Sequence, residues 1–217
     1  MEVKLFRVSH DFIINQCYLV YENNRGFLID PAWDYALIND YLHHHNIFLT
    51  GVLLTHAHPD HTNLADVFAK YYNVPVFMSG KEIDESNFSC THLQSIEHLR
   101  EIELAGCTIK PLLTPGHTAG STCYLIKGHL FSGDTIFIEG VGTCDMNRVD
   151  QLFDSVQYLK RIIPGDTIIW PGHSFGLAAG QSMDTLLKNN IYFQLNQRTQ
   201  FISFRMRKNR PGPFNFK

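Results

Sequence analysis

The sequence has no CxxC pair, no internal repeat, no low-complexity linker and no run of about 18 uninterrupted apolar residues. The last absence excludes a membrane-spanning helix. Residues 1–15 also lack a cationic stretch followed by an apolar one, so no secretory signal is expected, and the chain reads as cytoplasmic. Cys17, Cys90, Cys107, Cys123 and Cys144 are an odd number without zinc-knuckle spacing. They suit neither a disulfide framework nor a thiolate zinc site, and most of them read as small buried hydrophobes. Excess charge of one sign is missing too: 18 Lys and Arg stand against 21 Asp and Glu, a net charge of -3. No global field would gather nucleic acid or an anionic membrane surface, so neither is an expected partner.

What remains is 217 residues, 44% of them hydrophobic. That is enough for a substantial core and too little for two ordinary domains with a linker, so one domain is expected over 1–217, with a short basic tail from about 201 to 217. Short runs of Val, Ile, Leu and Phe alternate with turn clusters and a few helix-length segments. The pattern predicts strands over 3–8, 12–22, 26–30, 51–55, 75–78, 107–114, 122–126, 129–132 and 167–170. It predicts helices over 34–44, 63–72, 149–162 and 183–192, hence a mixed α and β architecture. Asp34 is placed to cap the first helix, and Pro164-Gly165-Asp166 makes a turn into the last strand. His43-His44-His45 falls at a helix end with no carboxylate beside it, and reads as a solvated terminus favoured by the helix dipole.

Chemistry concentrates where apolar runs end. Thr55-His56-Ala57-His58-Pro59-Asp60-His61 places three imidazoles and a carboxylate directly after a buried strand. Residues two apart leaving a strand project to one side, so His56 and His58 can face one ion. Pro59 then turns the backbone, and Asp60 and His61 are offset toward a second ion. Three later loops each set one ligand type beside a glycine: Gly116-His117, Gly133-Asp134 and Gly172-His173. Nitrogen and carboxylate donors without thiolate suit zinc first, with iron or manganese as further candidates. The HxHxDH string alone arises by chance at on the order of 10⁻⁵ of positions.

On these residues the chain resembles the metallo-β-lactamase superfamily, from Phe27-Leu28-Ile29-Asp30-Pro31 through the HxHxDH loop to His173. The resemblance implies an α/β fold, an αββα four-layer sandwich with the site at one edge of two sheets. It implies two zinc ions per chain, with His56, His58 and His117 on one, Asp60, His61 and His173 on the other, and Asp134 between them. It further implies that Asp30 orients the ligand loop. Asp60 is the candidate catalytic residue, holding the attacking hydroxide toward a carbonyl carbon.

Within the superfamily the chain is similar to the glyoxalase II group, in TPGHT around His117 and in Ser132-Gly133-Asp134-Thr135. Fewer than about fifty residues follow His173, leaving little room for that group's glutathione-holding helical domain. Gly142-Thr143-Cys144-Asp145 stands where many relatives carry Gly-Arg-Thr-Asp. With Pro171-Gly172-His173-Ser174-Phe175-Gly176, Asn190-Ile191-Tyr192-Phe193 and a basic, aromatic C-terminus, the chain looks most like the small zinc hydrolases of trans-acyltransferase polyketide clusters. That likeness implies thioester hydrolysis on an acyl-carrier protein, or on a small-molecule thioester, with a pocket lined by the 137–146 loop and the C-terminal segment. Arginines of the tail would suit an acidic carrier or its phosphate. Alternatives are a hydroxyacylglutathione hydrolase, a mononuclear iron persulfide dioxygenase using His56, His117 and Asp134, and a non-enzymatic carrier-binding module. The last leaves seven ligands without a purpose, since structural zinc needs four.

Overall fold

The computed structural model describes residues 1–208. Its first sheet runs in the order β1 (Glu2–His10), β2 (Ile13–Glu22), β3 (Arg25–Ile29), β4 (Phe48–Leu53), β5 (Val76–Ser79), β6 (Leu93–Ile96). The second runs from β7 (Ile102–Leu104) through β8 (Cys107–Leu113), β9 (Thr122–Ile126), β10 (His129–Gly133) and β11 (Ile168–Pro171) to β12 (Gln181–Ser182). Both begin as antiparallel meanders and turn parallel where a helix intervenes, at β3/β4/β5/β6 and at β10/β11.

Alternation along the central strands builds three layers of core. Tyr18, Val20, Phe27, Ile29 and Leu53 face the second sheet, where Tyr124, Ile126 and Phe131 meet them. Cys17, Leu19, Leu28, Val52 and Leu54 point the other way, to α1 (Tyr35–His44) and α3 (Ala65–Tyr72). Cys123 and Leu130 face α5 (Val149–Ile162), whose Val149, Leu152, Phe153, Val156 and Leu159 recur on one helical stripe. Helices thus cover both outer faces of two stacked sheets, the αββα sandwich implied above. Among the described residues no helix is long and apolar enough to cross a membrane.

Asp34 caps α1 as its position predicts, accepting from the Leu37 amide at 2.9 Å. Asp34→Ala is expected to cost about 0.5–2 kcal/mol in thermal or urea unfolding, with the metal content of the protein unchanged. His43 and His44 form the last turn of that helix and stay exposed.

Two expectations change. The helix predicted over 183–192 breaks at Asn190 into α6 (Met183–Asn189) and α7 (Ile191–Gln194). Asn190 is extended and fully buried; its side-chain oxygen accepts from the Tyr192 amide while Nδ2 donates to the Phe137 and Gly140 carbonyls. Those bonds outweigh helical continuity. The second change concerns the basic C-terminus. Residues from 201 onward belong in part to α8 (Arg198–Arg205), which packs on α5 through buried Phe201 and covers the second sheet's outer core. Residues 209–217 of that segment lie outside the described residues.

Candidate metal centre

The four chemistry-bearing loops leave their strands at the same edge of the sandwich. His56 and His58 follow β4, and His58 is the N-cap of the one-turn α2 (Pro59–Thr62) that carries Asp60 and His61. His117 follows β8, Asp134 follows β10 and His173 follows β11. All seven side chains converge, in overlapping groups His56/His58/His117, His56/His61/Asp134 and Asp60/His61/His173.

Gly133 shows why the approach is possible. Its φ of +48° is left-handed, and a Cβ there would lie 2.6 Å from the Thr55 Cβ, so the Asp134 loop can close on the histidine loop only with glycine.

In the first group, His58 Nδ1 lies 3.0 Å from both His56 Nε2 and His117 Nε2, and the three rings stand nearly perpendicular. The outer nitrogens fix the tautomers. His56 Nδ1 donates to Thr55 Oγ1, which itself donates to Asp30 Oδ2, and His117 Nδ1 donates to the Thr143 carbonyl at 2.6 Å. Both Nε2 lone pairs therefore aim at His58 Nδ1, and a single proton there can serve only one of them. One cation satisfies all three.

The second group repeats the device. His61 Nδ1 donates to Asp30 Oδ2 at 2.9 Å and His173 Nδ1 to the Ile14 carbonyl at 2.7 Å, turning both Nε2 atoms inward. Asp60 Oδ2 lies 3.3 Å from His173 Nε2 and 3.7 Å from His61 Nε2. Asp134 stands between the groups, with Oδ2 3.6 Å from His117 Nε2 and 3.5 Å from His173 Nε2. His61 Nε2 and Asp134 Oδ1 are buried without a hydrogen-bond partner, 3.5 Å apart. Two donors that share one tetrahedral cation at roughly 2.1 Å sit about 3.4 Å from each other, so the orphaned pair fits such an ion.

The electrostatics agree. Burial presses the His56 and His58 imidazoles toward neutrality, the form that ligates. Burial also opposes charge on His61, but the Asp134 and Asp30 carboxylates outweigh it and hold this imidazole at about 9. Asp60 and Asp134, despite burial, are held below the usual carboxylate range by His173 and His61. A cation entering the second group must displace the extra proton of His61.

Several residues that hold the loops carry no signature in the sequence. Glu82, 2% exposed in α4 (Gly80–Ser86), accepts from the Ala57 amide at 2.9 Å and from the Gly120 amide at 2.8 Å, joining the loop of His56 and His58 to that of His117. Glu82→Ala leaves the buried Gly120 amide and the half-buried Ala57 amide without this partner. It is expected to cost about 1–3 kcal/mol for each of them in chemical unfolding. Arg205 is similarly buried, donating through Nε and Nη2 to the Gly142 carbonyl at 3.1 and 2.8 Å, next to the residue whose carbonyl holds His117. Glu82 sits in a polar stretch and Arg205 in a basic one, where solvent exposure is the default reading.

A cavity of about 280 Å³ opens onto both groups, reaching His58, Asp60, His117, Asp134 and His173. Phe137, Val141, Ile191 and Tyr192 make an apolar wall, and Phe204, Arg205 and Arg207 line it from the C-terminal side. Arg207 stacks on Phe204, its guanidinium 3.8 Å from the ring centroid, and no carboxylate pairs with it among the described residues.

A two-sheet sandwich with this cluster at its edge defines a class. The sequence profile of the metallo-beta-lactamase superfamily matches residues 10–173, and the chain belongs to that superfamily. More particularly, it is 42% identical over 220 residues to a probable polyketide biosynthesis zinc-dependent hydrolase, BaeB of Bacillus velezensis, a match covering 100% of this chain and 98% of that protein. PksB of Bacillus subtilis, described in the same words, is 41% identical over 207 residues, 94% of this chain and 92% of that one. A hydroxyacylglutathione hydrolase of Halorhodospira halophila is 37% identical over 69% of this chain and 56% of its own length. Among solved structures, ETHE1 from Myxococcus xanthus superposes with a TM-score of 0.85 at 25% identity, covering 98% of this chain and 93% of that one.

Proposed function

We propose that this chain is a cytoplasmic, two-zinc hydrolase that cleaves thioesters, its substrate an acyl group borne by an acyl-carrier protein of polyketide assembly. The observation that carries the reading is the second donor group. Asp60, His61 and His173, with the orphaned His61 Nε2 and Asp134 Oδ1, have no use in a one-metal site built on His56, His58 and His117. Relatives named as polyketide zinc-dependent hydrolases over nearly the full length support the substrate class. So does the cavity, whose apolar wall suits an acyl chain and whose Arg207 suits an anionic carrier arm.

Bound at these donors, a zinc pair supplies an acidified water and polarises a carbonyl oxygen, and iron or manganese would be held by the same atoms. The chain's own residues do the rest. Asp60, anionic and lining the cavity floor, accepts a hydrogen bond from the attacking water and sets its direction. Phe137, Val141 and Tyr192 hold the acyl chain and exclude bulk water from the carbonyl. The departing thiolate is a good leaving group that needs little proton donation, so no general acid is required opposite Asp60.

A second reading, one iron on His56, His117 and Asp134 with dioxygenase chemistry, draws on the near-complete superposition with ETHE1. One experiment separates them: metal content of the purified protein, with hydrolysis of acyl-phosphopantetheine, acyl-carrier-protein and lactoylglutathione thioesters and oxygen uptake in the same sample. Two zincs with preference for the carrier-linked acyl group support the proposal. One iron with oxygen consumption and no thioester cleaved overturns it, and preference for lactoylglutathione moves the substrate to the glutathione class.

A further inference from the structure

Asn15 is fully buried on β2, beside the metal-ligand cluster but outside it. Its Nδ2 donates to the backbone carbonyl of Asp60, and its Oδ1 accepts from Trp33 Nε1 at 2.8 Å. The first bond fills a gap in the backbone of α2. Continued as a helix, that turn would bring the Leu64 amide to the Asp60 carbonyl, but Leu64 donates instead to Pro31. Asn15 thus takes over the role of the next helical turn and fixes how α2 is rotated. The Asp60 carboxylate rides on that rotation.

The second bond fixes the amide itself. Trp33 holds Asn15 Oδ1 and so presents Nδ2 to Asp60; the Trp33 backbone amide donates to Asn63 Oδ1 at 3.0 Å, and its indole stacks with His10 at 4.6 Å. The neighbours of Asn15 complete a frame. The Ile14 carbonyl holds His173 Nδ1, the Gln16 amide donates to Gly172 at 2.8 Å, and Gln16 Nε2 to Ser174 Oγ at 2.5 Å. Three consecutive residues of β2 therefore hold the segments that carry both Asp60 and His173.

The first group is held by other means: His56 by Thr55 and Asp30, the Ala57 amide by Glu82, His117 by Thr143. Asn15 touches none of these. We infer that Asn15 is a positioning residue that makes the second metal subsite, and so decides whether the chain holds one cation or two. This rests on the two-metal reading above.

The test strips the full-length protein with a chelator, then titrates it with zinc, followed by metal content, and with cobalt, followed by visible absorption. Wild type should take up two cations in distinguishable steps. Asn15→Leu, with the same branched outline but without either hydrogen bond, should keep the first step unchanged and weaken the second by at least about tenfold. Trp33→Phe, at a half-buried position, should shift the second step in the same direction by less, and decides the matter should the Leu variant not fold. A second step as tight as wild type in the folded variants, or equal weakening of both steps, overturns the inference while leaving the two-metal reading standing. A single cation in wild type overturns that reading and the inference with it.

Discussion

Asp60→Asn is expected to lower kcat by about 10²–10⁴-fold while the protein folds normally and still loads metal. Asparagine keeps the length of the side chain and one oxygen able to face a cation, and it leaves the backbone carbonyl to which Asn15 donates. What disappears is a negative charge at the cavity floor. Asp60 Oδ2 now lies 3.3 Å from His173 Nε2 and the group is held well below the usual carboxylate range, so it is anionic throughout the neutral region and always ready to accept a hydrogen bond. The amide nitrogen would instead donate, turning the attacking water the wrong way. The check is a steady-state comparison at equal zinc content, with thermal unfolding of the same preparations. A metal-loaded variant with wild-type kcat removes Asp60 from the chemistry and leaves it as a ligand only. A variant that loses metal instead says that charge at this position serves binding before catalysis.

The seven clustering residues were legible because their chemistry is unusual for where it falls. A histidine or aspartate that closes an apolar run has no ordinary structural purpose; four such loops leave one edge of the sandwich, three of them with glycine beside the ligand. The central strands were legible for a related reason: 17–20 and 27–29 are buried on both faces, so nearly every residue is apolar. The supporting parts were not. β6 and β7 lie at the sheet edges with polar residues facing out, and β12 is two residues long, so none presents a period to read. Asn190 interrupts a good helical stripe because two carbonyls 50 and 53 residues away claim its side chain. Arg205 reads as solvent-facing until the Gly142 carbonyl is placed beside it. Local pattern carries the ligands and the core; long-range hydrogen bonds to backbone carry the geometry that makes them a site.

Asp30 is where those two kinds of information meet, and its replacement should have the other large effect. It is 2% exposed, with a left-handed φ of +50°, and its carboxylate accepts from the Thr55 amide, the Thr55 hydroxyl and His61 Nδ1 at 2.8, 2.7 and 2.9 Å. Asparagine tolerates that backbone better than most residues and can still accept from the Thr55 amide. Its nitrogen, however, faces the hydroxyl and the imidazole as a donor. To avoid two opposed donors, His61 must move its proton from Nδ1 to Nε2, and the inward lone pair is lost. The hydroxyl of Thr55, no longer able to donate to the residue at 30, is also freed from the arrangement that orients His56. Asp30→Asn is therefore expected to weaken zinc binding by about 10–100-fold, measured by competition with a chromophoric chelator. Asp30→Ala adds a folding cost of about 1–3 kcal/mol for each buried donor it strands, visible in urea unfolding of the metal-free chain. The Asn variant thus reads the tautomer and the Ala variant the packing. A folded Asp30→Asn protein with wild-type zinc affinity would show that His61 keeps its lone pair inward without this carboxylate, and that the orientation comes from the cation itself.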